Sequence, residues 1–158
     1  MNASEISQYI IETFEDVDIM TDSDNSFFFY NPERTVPPDH RLMFVTLVTN
    51  DLYDQFSNLK RPSTFRLNIG IGKQTFHSLF GEPSRPSSRD SAAISDGNAR
   101  DYDFTTLDQI MPHPEYGHIF WVCVLNPGEE MFATKVRQLL TEAYELAVSK
   151  YKRKAVHQ

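Results

Sequence analysis

The sequence has a single cysteine, Cys123, so no disulfide can form within the chain. Cys123 sits inside the apolar run 119–125, where a small hydrophobe is expected, and it reads as a buried, inert thiol rather than a nucleophile. That run of seven residues is the longest uninterrupted apolar stretch, too short for a transmembrane helix. Basic residues are outnumbered, with 15 Lys and Arg against 22 Asp and Glu, a net charge of −7. This balance argues against a broad nucleic-acid or anionic-membrane surface, because phosphate binding needs concentrated Lys and Arg.

Glycine is scarce too, at six residues. The one glycine-rich phrase is Gly70-Ile71-Gly72-Lys73-Gln74-Thr75. It lacks the four-residue spacing of a phosphate loop, and Thr75 stands where a dinucleotide fingerprint has its third glycine. It reads instead as a strand-to-helix turn that needs small residues. G-x-S-x-G is missing, and no Ser-His-Asp or Cys-His signature is present. No motif implies a cofactor. The opening residues carry neither a basic nor an apolar leader region, and Asn2 stands where N-myristoylation needs glycine, so a cytoplasmic protein is expected.

What is present fits one domain over 1–158, long enough to bury about 68–70% of its unfolded surface. Residues 3–14 place Ile6, Tyr9, Ile10, Thr13 and Phe14 on one helical stripe, with Asn2 and Glu5 at capping-box spacing. Residues 16–25 read as an acidic loop with at most a short strand near 17–20. Phe27, Phe28, Phe29 and Tyr30 form a β-type run stopped by Asn31-Pro32, and three prolines make 32–40 a loop.

Residues 41–49 read as a strand covered on both faces, with Leu42, Phe44 and Val48 pointing one way and Met43, Val45 and Leu47 the other. Residues 50–58 suggest a capped short helix with Leu52, Tyr53 and Phe56 inward, and 60–63 a turn. Residues 64–71 alternate cleanly: Phe65, Leu67, Ile69 and Ile71 face the core, Arg66 and Asn68 the opposite side. A short helix follows, with Phe76, Leu79 and Phe80 on its stripe and Gly81 ending it. The stretch 82–100 has almost nothing to bury and is expected to be a mobile polar loop.

Thr105 and Asp108 at capping-box spacing predict another short helix, with Leu107, Ile110 and Met111 on its stripe. Pro112 and Pro114 then hold the chain extended through His113. Residues 118–126 read as a central strand, apolar on both faces. Asn126-Pro127 has the form of an N-cap and first helical residue, with Glu129 at capping-box spacing. The last helix, 127–152, carries the stripe Phe132, Val136, Leu139, Leu140, Ala143 and Ala147, with Tyr144 and Tyr151 on its margins. Lys150, Lys152, Arg153 and Lys154 sit at the negative end of its dipole. This order predicts an α+β fold: an antiparallel sheet of at least four strands, packed by N- and C-terminal helices against one face.

Four phrases, SFFFYNP (26–32), RPSTFRLNIGI (61–71), DFTTLDQIMPHPEYG (103–117) and WVCVLNP (121–127), followed by EAYELA (142–147), resemble the domain-of-unknown-function family 6194 over nearly the whole chain outside 82–100. More distantly, the closing strand and helix with EAY resemble MmcQ/YjbR-like proteins, small two-layer α+β domains for which DNA binding has been suggested from a winged shape. The resemblance implies a fold and brings no established activity or catalytic residues.

A candidate site rests on the residues themselves. Arg66 and Asn68 form a polar face on an otherwise apolar strand, and such a face either meets water or lines a pocket. The Pro-His-Pro turn adds His113, Tyr116, His118 and Trp121. His113 and His118, near Asp101, Asp103, Asp108 and Glu115, invite a metal reading. Their five-residue spacing across a proline turn is no ligand signature, and no metal site is assigned.

The candidate ligand-binding set is therefore Arg66, Asn68, His113, Tyr116, His118 and Trp121, with no catalytic residue named. The first functional reading is a module that binds a small molecule or a protein without catalysis. The second is a small enzyme using His113 or His118 as acid/base and Arg66 as anion clamp, and the third is nucleic-acid binding. Trp121 is expected to be largely buried, with its N–H bonded to the turn.

Overall fold

The structure, a computed structural model, describes residues 1–33, 42–81 and 102–156. The polar loop expected over 82–100, most of the proline loop of 32–40 and Asp101 lie outside the described residues. Six antiparallel strands form one sheet in the order β1-β2-β3-β4-β6-β5, with helices from both ends of the chain on one face. The fold is thus the α+β arrangement that the order of elements predicts.

Helix α1 (Ala3–Thr13) starts at Asn2 with both halves of the capping box in place: Asn2 Oδ1 accepts from the Glu5 amide at 2.8 Å, and the Glu5 carboxylate accepts from the Asn2 amide at 3.0 Å. Its stripe delivers Ile6, Ile10 and Phe14 to the core. Strand β1 (Val17–Asp22) runs the length of its hairpin partner β2 (Asn25–Tyr30), longer than the short segment expected near 17–20. The turn between them uses Ser23 and Asp24 at φ 51° and 69°, a left-handed pair usually made by Asn-Gly, so the sequence carries no ordinary hairpin mark there.

Strand β3 (Leu42–Val48) pairs with β2 through a bulge: Phe28 faces Val45 and Phe29 faces Met43, leaving Phe44 as the extra residue. Strict alternation, and with it the expected split of β3 between two faces, therefore fails. Phe44, Val45 and Leu47 all enter the core beneath the helices, while Thr46 and Val48 face the other side. Strand β4 (Arg66–Gly70) keeps the expected alternation, with Leu67 and Ile69 in the helix-side core and Arg66 and Asn68 opposite.

Helix α2 (Lys73–Phe80) follows Gly72 and ends at Gly81, whose φ of 84° suits glycine. Phe76 is buried, whereas Leu79 at the edge of the expected stripe is exposed. Glu142 ties this helix down, accepting from the Gly72 amide at 2.7 Å and from the Thr75 hydroxyl.

Two predicted helices do not form. Residues 50–58 make a chain of tight turns in which Asn50 Oδ1 accepts from the Leu52 amide at 3.1 Å, Asp54 Oδ1 from Phe56 at 3.2 Å and Asp51 Oδ1 from Leu59 at 2.9 Å. These local side-chain bonds replace helical ones. Leu52, Tyr53 and Phe56 consequently lie exposed instead of inward.

Around Thr105, Asp103 captures the Thr105 amide at 3.0 Å, and Asp108 adopts a φ of 56°. Leu107 pairs with Leu125, and Met111 joins the two-residue strand β5 (Met111–Pro112).

A 3-10 turn (Gly117–Ile119) and left-handed Phe120 shorten the next strand, β6 (Trp121–Leu125), relative to the predicted 118–126. It lies between β4 and β5.

The helical region begins with α3 (Glu129–Met131) behind a Gly128 cap, passes through a π-helical segment (Phe132–Val136) and continues as α4 (Arg137–Val156). Asn126 is not its cap. Its side chain instead joins the ends of β6 and β4, accepting from the Phe65 amide at 2.9 Å and donating to the Ser63 carbonyl at 3.0 Å.

The predicted stripe from Phe132 to Ala147 is buried throughout, with Tyr144 and Tyr151 half-buried beside it. Phe132, Val136, Leu139 and Leu140 each contribute roughly 1.5–3 kcal/mol by burial, the two alanines less. Among the described residues no helix is long and apolar enough to cross a membrane.

Candidate ligand cavity

The polar residues of β4 go to the face of the sheet opposite the helix-side core. Antiparallel pairing sets Arg66 opposite Val48 and Leu125, Asn68 opposite Thr46 and Cys123, and Gly70 opposite Trp121, so these side chains share one face. Beneath the loops, Val48, Leu59, Met111, Cys123 and Leu125 form a second, smaller apolar cluster. Beside it opens a cavity of about 500 Å³. Five of the six candidate residues line it: Arg66, Asn68, His113, Tyr116 and Trp121. His118 does not, and is exposed on the 3-10 turn.

The floor is a closed polar network. Arg66 is 1% exposed and meets the Asp54 carboxylate at two points, Nη1 to Oδ1 at 2.9 Å and Nη2 to Oδ2 at 2.6 Å. Its Nη1 also donates to Ser57 Oγ at 3.1 Å, and its Nε to Asn68 Oδ1 at 3.0 Å. Asn68 passes the chain on, donating to Thr46 Oγ1 at 2.9 Å. Four of the five guanidinium N–H groups are thereby committed. Burial pushes the Asp54 carboxyl up, but the hydrogen bonds and charge of Arg66 outweigh it and hold the group below the ordinary range. The floor is therefore a neutralised ion pair, not a free cation.

His113 is set by its own turn. Its Nδ1 accepts from the Glu115 and Tyr116 amides, both at 3.0 Å, and its backbone amide donates to the Trp121 carbonyl at 2.9 Å. Since backbone amides only donate, Nδ1 carries no proton and the neutral ring holds its proton on Nε2. Burial first, and the charge of Arg66 second, lower its pKa to about 3.

The Nε2–H has no hydrogen-bond partner among the described residues. It is not sealed in either, because the enclosed, unpaired side-chain atom among the described residues is Asn31 Oδ1. His113 is among the residues that line the cavity.

The walls are apolar. Phe27, Met43, Tyr53 and Ile119 line the cavity with Tyr116 and Trp121, and Tyr53 is held by an edge contact to Phe27 at 5.8 Å and a hydroxyl bond to Asp22 at 2.6 Å.

Trp121 is largely buried, as expected, though not fully enclosed. Its ring lies flat across Gly70, where a Cβ would come within 2.8 Å of Cε2. The expected bond from its N–H to the turn is not made; the turn reaches it through its backbone instead, the Trp121 amide donating to the Tyr116 carbonyl at 3.1 Å.

Cys123 is buried, its thiol pushed up by burial to about 12, so it offers no thiolate. Among the described residues no group of three or more His, Cys, Asp or Glu side chains is placed to hold a metal ion.

The sequence offered Arg66 and Asn68 but not Asp54, Ser57 and Thr46, which complete their network. A signal existed: an arginine inside an apolar strand needs a carboxylate, and the nearest upstream candidates are Asp51 and Asp54.

The family of unknown function DUF6194 matches residues 1–156. The chain belongs to DUF6194. No curated protein and no solved structure matches it, so the MmcQ/YjbR-like resemblance rests on the sequence phrases alone. What DUF6194 contributes is the extent of the family match; the fold and the reading of the cavity rest on the structure.

Proposed function

We propose that this protein is a single-domain cytoplasmic binding module whose ligand is a small molecule held in the cavity between β3, β4, β6 and the Pro-His-Pro turn. The observation that carries this reading is the combination of an uncommitted His113 Nε2–H with apolar walls over a charge-neutralised polar floor. A volume of about 500 Å³ falls within the 300–1,000 Å³ usual for small-molecule sites. A concave cavity of that size suits a small ligand better than a protein surface.

The acid–base alternative is disfavoured by the same geometry. General-base work needs a free lone pair, and Nδ1 of His113 is occupied by two amides while Nε2 already holds its proton. With a pKa of about 3 the ring is neutral at pH 7, so His113 is a weak general acid there. Arg66 cannot clamp an anion without surrendering Asp54. The net charge of −7 weighs against nucleic acid.

N-phenyl-1-naphthylamine, an uncharged dye that brightens in apolar surroundings, tests the proposal. Saturable uptake by the native chain is expected, weakened in Trp121→Phe with little change in melting temperature. Uptake that never saturates, or that is indifferent to Trp121→Phe, contradicts it.

A further inference from the structure

The polar side chains that line the cavity are unequal in kind. Beyond His113 Nε2–H, one amide hydrogen of Asn68 and one N–H of Arg66 are left over after the floor network is counted. The indole N–H of Trp121 has no partner among the described residues. All four are donors, and the Thr46 and Tyr116 hydroxyls, which can donate or accept, line the space with them. The carboxylates nearby have the opposite character: Asp54 is already paired with Arg66, and Glu115 lines the mouth as an exposed side chain. Among the described residues that line the space, none brings an uncompensated positive charge. A ligand anion would lose its water without gaining a counter-ion and would pass Glu115 on entry. Phe27, Tyr53, Tyr116 and Trp121 offer ring faces and edges, which favour another flat ring.

Resting on the small-molecule reading above, we infer that the cavity selects uncharged, flat aromatic compounds bearing a carbonyl oxygen or ring nitrogen, read by His113 Nε2–H, and rejects their carboxylate counterparts. The turn fixes this preference, because the Glu115 and Tyr116 amides hold the imidazole in the tautomer that donates into the cavity. His113 is here a binding residue, with no part in bond making or breaking.

Three naphthalenes of similar shape test this on the full chain: naphthalene, 2-acetylnaphthalene and 2-naphthoate, each displacing the naphthylamine dye. The ketone is expected to bind roughly tenfold tighter than naphthalene, the value of one well-placed hydrogen bond in a dry site. The carboxylate is expected to bind more weakly than naphthalene.

His113→Asn is the informative variant, because an asparagine Oδ1 occupies the position of Nδ1 and still accepts from the two amides, while the Nε2–H is lost. It should abolish the advantage of the ketone and leave naphthalene unchanged. Equal binding of ketone and hydrocarbon by the native chain, tightest binding of the carboxylate, or a ketone preference that survives His113→Asn would each overturn the inference. The native comparison needs no variant to fold. If the dye binds and the three probes are not discriminated, only this inference fails; if neither dye nor probes bind, the cavity reading fails with it.

Discussion

Arg66 and Asp54 meet at two points, 2.9 and 2.6 Å, on the face of the sheet opposite the helix-side core, with side chains 1% and 8% exposed. This pair decides what the loop over 49–65 does. A guanidinium buried on a strand has to be matched, and the turn around Asp54 gives up helical bonds and leaves Leu52, Tyr53 and Phe56 at the surface to match it.

Removing Asp54 leaves the cation buried and unmatched, so Asp54→Ala should cost about 3–5 kcal/mol in urea unfolding. Replacing both partners, as in Asp54→Leu with Arg66→Met, should recover much of that loss. A single-variant cost below about 1 kcal/mol, the level of an exposed pair, would show that water reaches the guanidinium.

Stability should fall on the acid side of neutrality. The pKa of His113 is about 3 in the folded chain and near 6.5 unfolded, so above pH 6.5 both states carry the same neutral ring. Between pH 6.5 and about 3 the unfolded state takes up a proton that the folded state refuses, and stability declines by up to about 1.4 kcal/mol per pH unit. Asp54, held below its ordinary value of 3.8, adds its own loss as pH falls below that value, until the folded carboxyl is protonated too. Urea midpoints at pH 7.5 and 4.5 measure the upper part of the slope, which His113→Asn should flatten.

Cys123 should be silent toward thiol reagents in the native state and react fully in guanidinium. Its sulfur is buried, lies 3.7 Å from the Pro112 carbonyl and has its pKa pushed up to about 12. Fast labelling of the folded protein at pH 8 would mean that the cluster around Met111 and Leu125 opens readily.

Gly70→Ala sets a methyl 2.8 Å from Trp121 Cε2, so the indole must move. A cost of about 1–3 kcal/mol and a shifted emission maximum are expected. Unchanged emission would mean that the ring does not lie across Gly70.

The sequence carried the parts of this fold that depend on period alone. The stripe Phe132, Val136, Leu139, Leu140, Ala143 and Ala147 names the core face of the long helix, and the alternation from Phe65 to Ile71 puts Arg66 and Asn68 on the far side of the sheet. It was silent where a local bond beats a pattern. Asp51, Asp54 and Asp103 bind nearby amides and undo two helices that apolar spacing favours. Ser23 and Asp24 make a hairpin without glycine, and the bulge at Phe44 reverses a face assignment. For the site, the residue types were legible but their pairing was not. That Arg66 spends its charge on Asp54, and that His113 turns one nitrogen to its own backbone, are facts of geometry across chain separations of 12 and 2–3 residues.

Trp121 is the sole tryptophan, and it lines the cavity, so energy transfer from it to bound N-phenyl-1-naphthylamine tests the central claim most directly. Titration should quench Trp121 emission along the same saturation curve by which dye emission rises, and 2-acetylnaphthalene should restore it. Dye uptake without quenching of Trp121, or quenching that the ketone does not reverse, would place the bound molecule elsewhere and contradict the account.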